Sequence, residues 1–251
     1  MKKLHFLLVS LASLLFLGAC GTGVTKEELV NGALDNDISS FEADMKMGID
    51  VNANGQKMNQ SLDMTMEYVK EPFNTHIKMS TVDGNIELYM DEETSYALVP
   101  GESQWIKTPT NSNPDFAELA SGESMKDELN RLKKFVELFE MTQSGNDYVL
   151  TVNLTEDSKN KQEIELVQDV LKEATQNSEV EDLQVNSFDY KLTISEDKML
   201  KSIVTRADVD VKIAGETAQI VTDATATYKN VNQVENIAIP AEVTDNAVEM
   251  Q

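Results

Sequence analysis

Few side chains in this sequence could do covalent or acid–base chemistry, and their types narrow the options quickly. His5 lies in an apolar leader, so His76 is the only histidine from residue 20 onward. Cys20 is the single cysteine. A Ser-His-Asp triad needs a histidine base oriented by a carboxylate, and a histidine-rich zinc centre needs several nitrogen ligands. One histidine and one cysteine cannot supply the zinc centre. A lone histidine on a strand surface, with nothing in its spacing to pair it with a serine, is not expected to form a triad. A lone cysteine also excludes an intramolecular disulfide and CxxC redox chemistry. His76 alternates with Ile77 and is expected on the solvent side of a strand. With 44 Asp plus Glu, a hydrolase using two carboxylates can always be drawn, yet no spacing singles out a pair. Asp35-Asn36-Asp37 and Asp91-Glu92-Glu93 lack the twelve-residue calcium loop with its central Gly and final Glu. No glycine-rich phosphate loop and no GxSxG elbow occurs. Catalytic residues, metal ligands and cofactors are therefore not expected.

The chemistry that remains is apolar. Met45, Met47, Met58, Met64, Met66, Met79 and Met90 account for seven of the 12 methionines. Methionine is flexible and polarizable, and it suits surfaces that re-pack around variable apolar partners. Apolar residues at this spacing are also ordinary core, so the stripe reads both ways.

Those methionines must be positioned by strands. Met45, Met47, Ile49 and Val51 alternate with Asp44, Lys46, Gly48 and Asp50. Leu62, Met64, Met66 and Tyr68 alternate with Asp63, Thr65 and Glu67. Alternation of this length marks strands with one buried and one wet face. Asn54-Gly55 between them is a strong hairpin signal. Strands follow over 73–80, 86–90, 94–99 and 104–108, with a tight turn at Asp83-Gly84. Upstream, Thr25 answered by Glu28 has the form of a capping box and predicts a helix over 25–35.

From Pro109 to Ser124 the composition shifts to loop residues, long enough for a lid or binding segment. Ser124 is expected to cap an amphipathic helix burying Leu129, Leu132, Phe135, Val136 and Phe139. A strand over 148–154 follows, then a helix starting at Asn160 with Ile164, Val167, Val170 and Leu171 inward. The last third reads as three strands, over 188–194, 199–213 and 216–228. A tail around Ile237 to Pro240 tucks against the body.

The first residues carry a different signal. Lys2 and Lys3 precede an apolar run from Phe6 to Leu17, the form of a secretory signal peptide. The run is short for a membrane span of ~20 residues. Leu17-Gly18-Ala19-Cys20 resembles the bacterial lipobox. That resemblance implies cleavage before Cys20 and acyl chains on its thiol and amine. Residues 1–19 are then the signal peptide, 20–24 the lipidated cysteine and tether, and 25–251 a single folded domain. A tether from Cys20 to Val24 reaches ~17 Å at ~3.5 Å per residue, and two or three acyl chains hold stably where one does not.

The net charge is −23, and removing residues 1–19 takes away Lys2 and Lys3 and no acid, leaving −25. Such a surface repels phosphate backbones, so nucleic acid is excluded as a partner. No basic amphipathic helix offers an electrostatic route to anionic lipid.

The order of elements resembles a family of lipoproteins from low-GC Gram-positive bacteria. The resemblance rests on the lipobox, a helix, a Met-rich meander, Trp105-Ile106-Lys107, central helices, a final antiparallel run and Ile237-Ala238-Ile239-Pro240. More distantly it is similar to the LolA/LolB and LppX/LprG carriers of lipids and lipoproteins. That resemblance implies an incomplete β-barrel covered by helices around an apolar cavity, though no motif carries over residue by residue.

The expected fold is α+β. It is a strongly curved antiparallel sheet of about ten strands, an open or half barrel, with a few helices on its concave side. The expected function is binding or carrying an apolar ligand: a lipid, an acyl chain or a lipoprotein anchor. Met45, Met47, Met64, Met66, Met79 and Met90 would line the cavity, with Leu132, Phe135 and Phe139 covering it. The alternative is a non-enzymatic interaction module at the cell envelope, packed solid, meeting an unidentified protein or wall partner through its acidic face.

Overall fold

The structure, a computed structural model, describes residues 23–112, 129–130, 132–155, 161–174, 180–213 and 215–249. Cys20, the leader and most of the tether lie outside these residues, as do residues 113–128 of the expected loop and helix start, the Asn160 cap and the Phe135 side chain.

The first described helix, α1 (Lys26–Asp35), forms as its sequence demands. The Thr25 hydroxyl accepts from the Glu28 backbone N–H, and the Glu28 carboxylate accepts from the Thr25 N–H. Two orphan donors at the helix start are satisfied in this way. Leu29, Val30 and Ala33 are buried. The chain then enters the long hairpin of β1 (Ser40–Ala53) and β2 (Gln56–Val69). Asn54 and Gly55 both take positive φ, 54° and 76°, the conformation a two-residue turn needs to match the strand twist.

The meander continues through β3 (Asn74–Thr81), β4 (Gly84–Asp91), β5 (Thr94–Leu98) and β6 (Ile106–Pro109). After the undescribed stretch come β7 (Glu140–Ser144), β8 (Asp147–Thr155), α2 (Lys161–Ala174), β9 (Val180–Ser195), β10 (Leu200–Ile213) and β11 (Glu216–Lys229). A short helix α3 (Ala241–Asn246) and β12 (Val248–Glu249) close the described chain.

All twelve strands join one curved, unclosed sheet, in the order β12-β6-β5-β4-β3-β2-β1-β11-β10-β9-β8-β7. Every pair is antiparallel except β12 on β6. The fold is thus the α+β open sheet expected, with two strands more than the sequence suggested. One addition is β7, which falls where the amphipathic helix was expected to fade. Residues 129–130 and 132 are helical, but the chain then tightens into a 3-10 helix, Lys133–Leu138. Phe139 is already extended, and Gly145-Asn146 turns β7 into β8. The other addition is β12, in the tail.

The core fills the concave face. Ile77, Met90, Leu132, Leu150, Leu192 and Ile194 are fully buried there. Lys26 ties α1 to the 3-10 helix by donating to the Glu137 and Phe139 carbonyls. Four buried residues lie outside this core: Val69 and Tyr89, on outward rows, and Ile237 and Val243 of the C-terminal segment. That segment docks where the Val248 N–H donates to the Trp105 carbonyl.

Candidate ligand-binding face

Strand register sets which side chains share a row. Met45 faces Met64, Met64 faces Met79 and Met79 faces Ile86, so one inward row crosses β1 to β4. The next row toward the core joins Ala43, Met66, Ile77 and Leu88. Met90 lies one row further, opposite Thr75. Met47 sits on the other side, opposite Leu62 and Ala224. The sheet therefore brings Met45, Met47, Met64, Met66 and Met79 onto adjoining rows.

Their environments differ sharply. Met66 is 3% exposed and Met90 0%, and both are packed into the core. Met64 and Met79 are also buried, and Met45 is half-buried. Met47 is 37% exposed and Met58, further out, 53%. The methionine stripe thus starts in the core and emerges toward the hairpin tip. Leu132 and Phe139 are buried on the other half of the sheet, with the Phe139 ring 6.1 Å from Tyr190.

Between the halves runs a floor of small residues that sequence reasoning missed. Ala226 faces Met45 and Ile203, and Ala224 faces Met47 and Thr205. Their signal was the alternation Ala224-Thr225-Ala226-Thr227, which puts two alanines on one face of a central strand. With Ile49, Leu62 and Ile220 also half-buried, this makes a partly exposed apolar strip along β1 and β11.

The inward rows carry no charge. On β1 they run Phe41, Ala43, Met45, Met47, Ile49, Val51, and on β11 from Ala218 to Tyr228. The paired rows of β2, β3, β4, β8, β9 and β10 are likewise uncharged. Glu216, beside the tip turn, is the exception on β11, and its carboxylate accepts from Asn54.

The outward rows are the reverse. A recess of about 600 Å³ touches Met45, Met64 and Met79. It also takes in both outward rows flanking them: Asp44, Thr65, Lys78, Glu87 and Lys46, Asp63, Ser80, Asn85. Alternation turns the methionine side chains away from those rows, so this recess opens on the wet face and meets the methionines from behind.

His76 lies on an outward row, as its alternation with Ile77 required, but it is not free in solvent. Its side chain is 13% exposed and wedged between Glu67 and Glu87. Burial alone would raise the Glu87 carboxyl. Its hydrogen bond with His76 and the nearby Lys78 ammonium outweigh burial and hold it below the ordinary carboxylate value. Burial, then the negative charge of Glu87, pushes the Tyr89 hydroxyl up. Among the described residues no group of three or more His, Cys, Asp or Glu could hold a metal ion. None of the described helices is long and apolar enough to cross a membrane.

A model for a family of unknown function, DUF6612, matches residues 25–248. The chain belongs to this family. The DUF6612 match spans every strand of the sheet, from the capping box of α1 to the start of β12. No curated protein matches the chain. Among solved structures, the chain is similar to a LolA superfamily protein of Nitrosomonas europaea, at 10% identity and a TM-score of 0.27, over 86% of this chain and 96% of that one. It is similar to a putative outer membrane lipoprotein-sorting protein domain of Vibrio parahaemolyticus, at 9% identity and a TM-score of 0.27, over 84% and 96%. A DUF1329 family protein of Desulfovibrio piger matches at 8% identity and a TM-score of 0.26, over 84% and 96%.

Proposed function

We propose that this protein binds an apolar ligand along the concave face of its sheet, as a non-enzymatic carrier or receptor held at the outer face of the cell membrane by lipid on Cys20. The observation that carries this reading is the pairing of a charge-free inward face with incomplete burial along β1 and β11. A face meant only as core would close over Met47 and Ile49. A face meant for a peptide or sugar would place hydrogen-bonding or charged groups there. An acyl chain or lipid needs apolar contact alone, and alanines on the floor beside adaptable methionines leave room for one. The described residues supply no paired-carboxylate cleft on this face, which favours binding over hydrolysis.

One observation favours the second reading, an envelope interaction module. Met64, Met66, Met79 and Met90 are as buried as core leucines, so half of the stripe is solid packing. Native mass spectrometry of residues 21–251, followed by organic extraction, separates the two. A reproducible adduct that extracts as a lipid supports the carrier. A clean apo mass, with no uptake from added lipid vesicles, overturns it in favour of the module.

A further inference from the structure

His76 sits between two carboxylates, one on each neighbouring strand. Nδ1 lies 3.0 Å from Glu67 Oε2, and Nε2 lies 2.8 Å from Glu87 Oε1. An ionised carboxylate can only accept, and a neutral imidazole has a single N–H. Both contacts are hydrogen bonds only when the ring carries a proton on each nitrogen. With its carboxylates ionised, the cluster therefore stores one proton in this arrangement.

The ring is also a mechanical part. It lies flat on Tyr89, centroids 4.0 Å apart and planes 5° from parallel. The Tyr89 ring is 5.7 Å from Trp105, whose carbonyl holds the Val248 N–H. Val243 of α3 is buried, and the charge of Glu242 beside it is felt at the Tyr89 hydroxyl. Ring contacts thus run from His76 through Tyr89 to Trp105, whose backbone carries them on to Val248 in the C-terminal segment.

We propose that His76, Glu67 and Glu87 form a proton-operated latch that holds the C-terminal segment, residues 237–249, on the outer face of the sheet. While the ring carries both protons, two charge-assisted hydrogen bonds fix its plane and Tyr89 stacks on it. When one proton leaves, a nitrogen lone pair faces a carboxylate oxygen, attraction becomes repulsion, and the ring turns off Tyr89. The segment is then held by the edge pairing of β12 on β6, the Lys107–Glu249 ion pair and its own apolar contacts. The latch closes at lower pH and opens as pH rises.

The groups facing this site come from every neighbouring element. They are Glu42 on β1, Glu67 on β2, Lys78 on β3, Glu87 and Tyr89 on β4, Tyr96 on β5, Lys107 on β6 and Glu242 on α3. Lys78 pairs with Glu87 at 3.4 Å and Lys107 with Glu249 at 3.4 Å.

Trp105 is the only tryptophan in the chain, so its emission reports this region alone. The full chain in detergent micelles is taken from about pH 5 to about pH 8, the ordinary histidine range. Expected is a single transition in Trp105 emission. At the same midpoint, amide exchange of residues 241–249, corrected for its intrinsic pH dependence, speeds up about tenfold as the charge-assisted hydrogen bond is lost. Core amides around Ile77 stay unchanged. His76→Gln abolishes the transition and leaves the segment in its faster state at every pH. Flat emission with exchange following only the intrinsic rate overturns the latch, as does a His76→Gln variant that keeps the transition. Should His76→Gln not fold, Glu67→Gln, at a more exposed partner, decides. Its midpoint moves to lower pH if the latch exists, and an unmoved midpoint overturns it.

Discussion

Substituting Met66→Ala beside Met47→Ala asks whether the methionine stripe is core at one end and open at the other. Met66 is 3% exposed between Ala43 and Ile77, and Met47 is 37% exposed between Leu62 and Ala224. Truncating Met66 removes three heavy atoms from a buried site. At ~0.8 kcal/mol per methylene-sized group, the transfer loss alone is about 2 kcal/mol. A cavity lined by residues on neighbouring strands collapses poorly, which carries the total into the ~2–5 kcal/mol range. Met47 gives up contacts on one side only and should cost less than ~1 kcal/mol. Urea unfolding followed by far-UV circular dichroism measures both, without added ligand. With a slope of ~3 kcal/mol per molar, Met66→Ala lowers the midpoint by roughly 1 M, and Met47→Ala moves it by no more than about a third of that. Equal losses would refute the reasoning, because the stripe would then be uniformly packed. A loss below ~1 kcal/mol for Met66→Ala would refute it from the other side.

Met47→Lys places a charge on the apolar strip without burying it, so the fold should survive while any lipid adduct seen by native mass spectrometry is lost. The folded-state value of Glu87 is depressed, so its contribution is fully present above its unfolded value near 4.5 and is lost as pH falls through the lower folded one. Glu87→Gln should therefore flatten stability against pH below about 4.5 in acid titrations monitored by circular dichroism. Thr25→Ala removes the capping hydroxyl of α1 and should cost ~1 kcal/mol in the same unfolding assay. Gly84 has φ +132° and an added Cβ would meet Pro100 at 2.9 Å, so Gly84→Ala should cost ~1–3 kcal/mol.

Much of the sheet was legible because its rows alternate so cleanly. The turn at Asn54-Gly55, the capping box at Thr25 and the outward row of His76 follow from local chemistry. The second turn instead falls on Val82-Asp83, with Gly84 already paired with Thr81. His76 is enclosed on its row rather than facing solvent. The errors came where tertiary context overrides local pattern. Leu129 to Phe139 has helical spacing, but the chain tightens after Leu132 and leaves Met141 on a strand that hairpins with β8. The degree of burial along the methionine stripe was not legible either. Met47 and Met66 share an alternation pattern, and only the covering elements separate them. Glu67 and Glu87 lie nine and eleven residues from His76 on different strands, so register alone brings them to one ring.

The centre of the sheet is a seam between β1 and β11, pairing Glu42 with Lys229 and Ala53 with Ala218. Neighbours on either side close by short hairpins, but this seam joins nearly opposite ends of the described chain. Loop-closure entropy makes such a junction costly to nucleate, and high contact order slows folding. Two half-sheets can zip first, each ending in an unpaired fourteen-residue edge and each showing an uncharged face. A nascent chain lacking β11 would present both hazards at once. The order of synthesis thus sets a window of aggregation risk that closes only when the final long strand arrives.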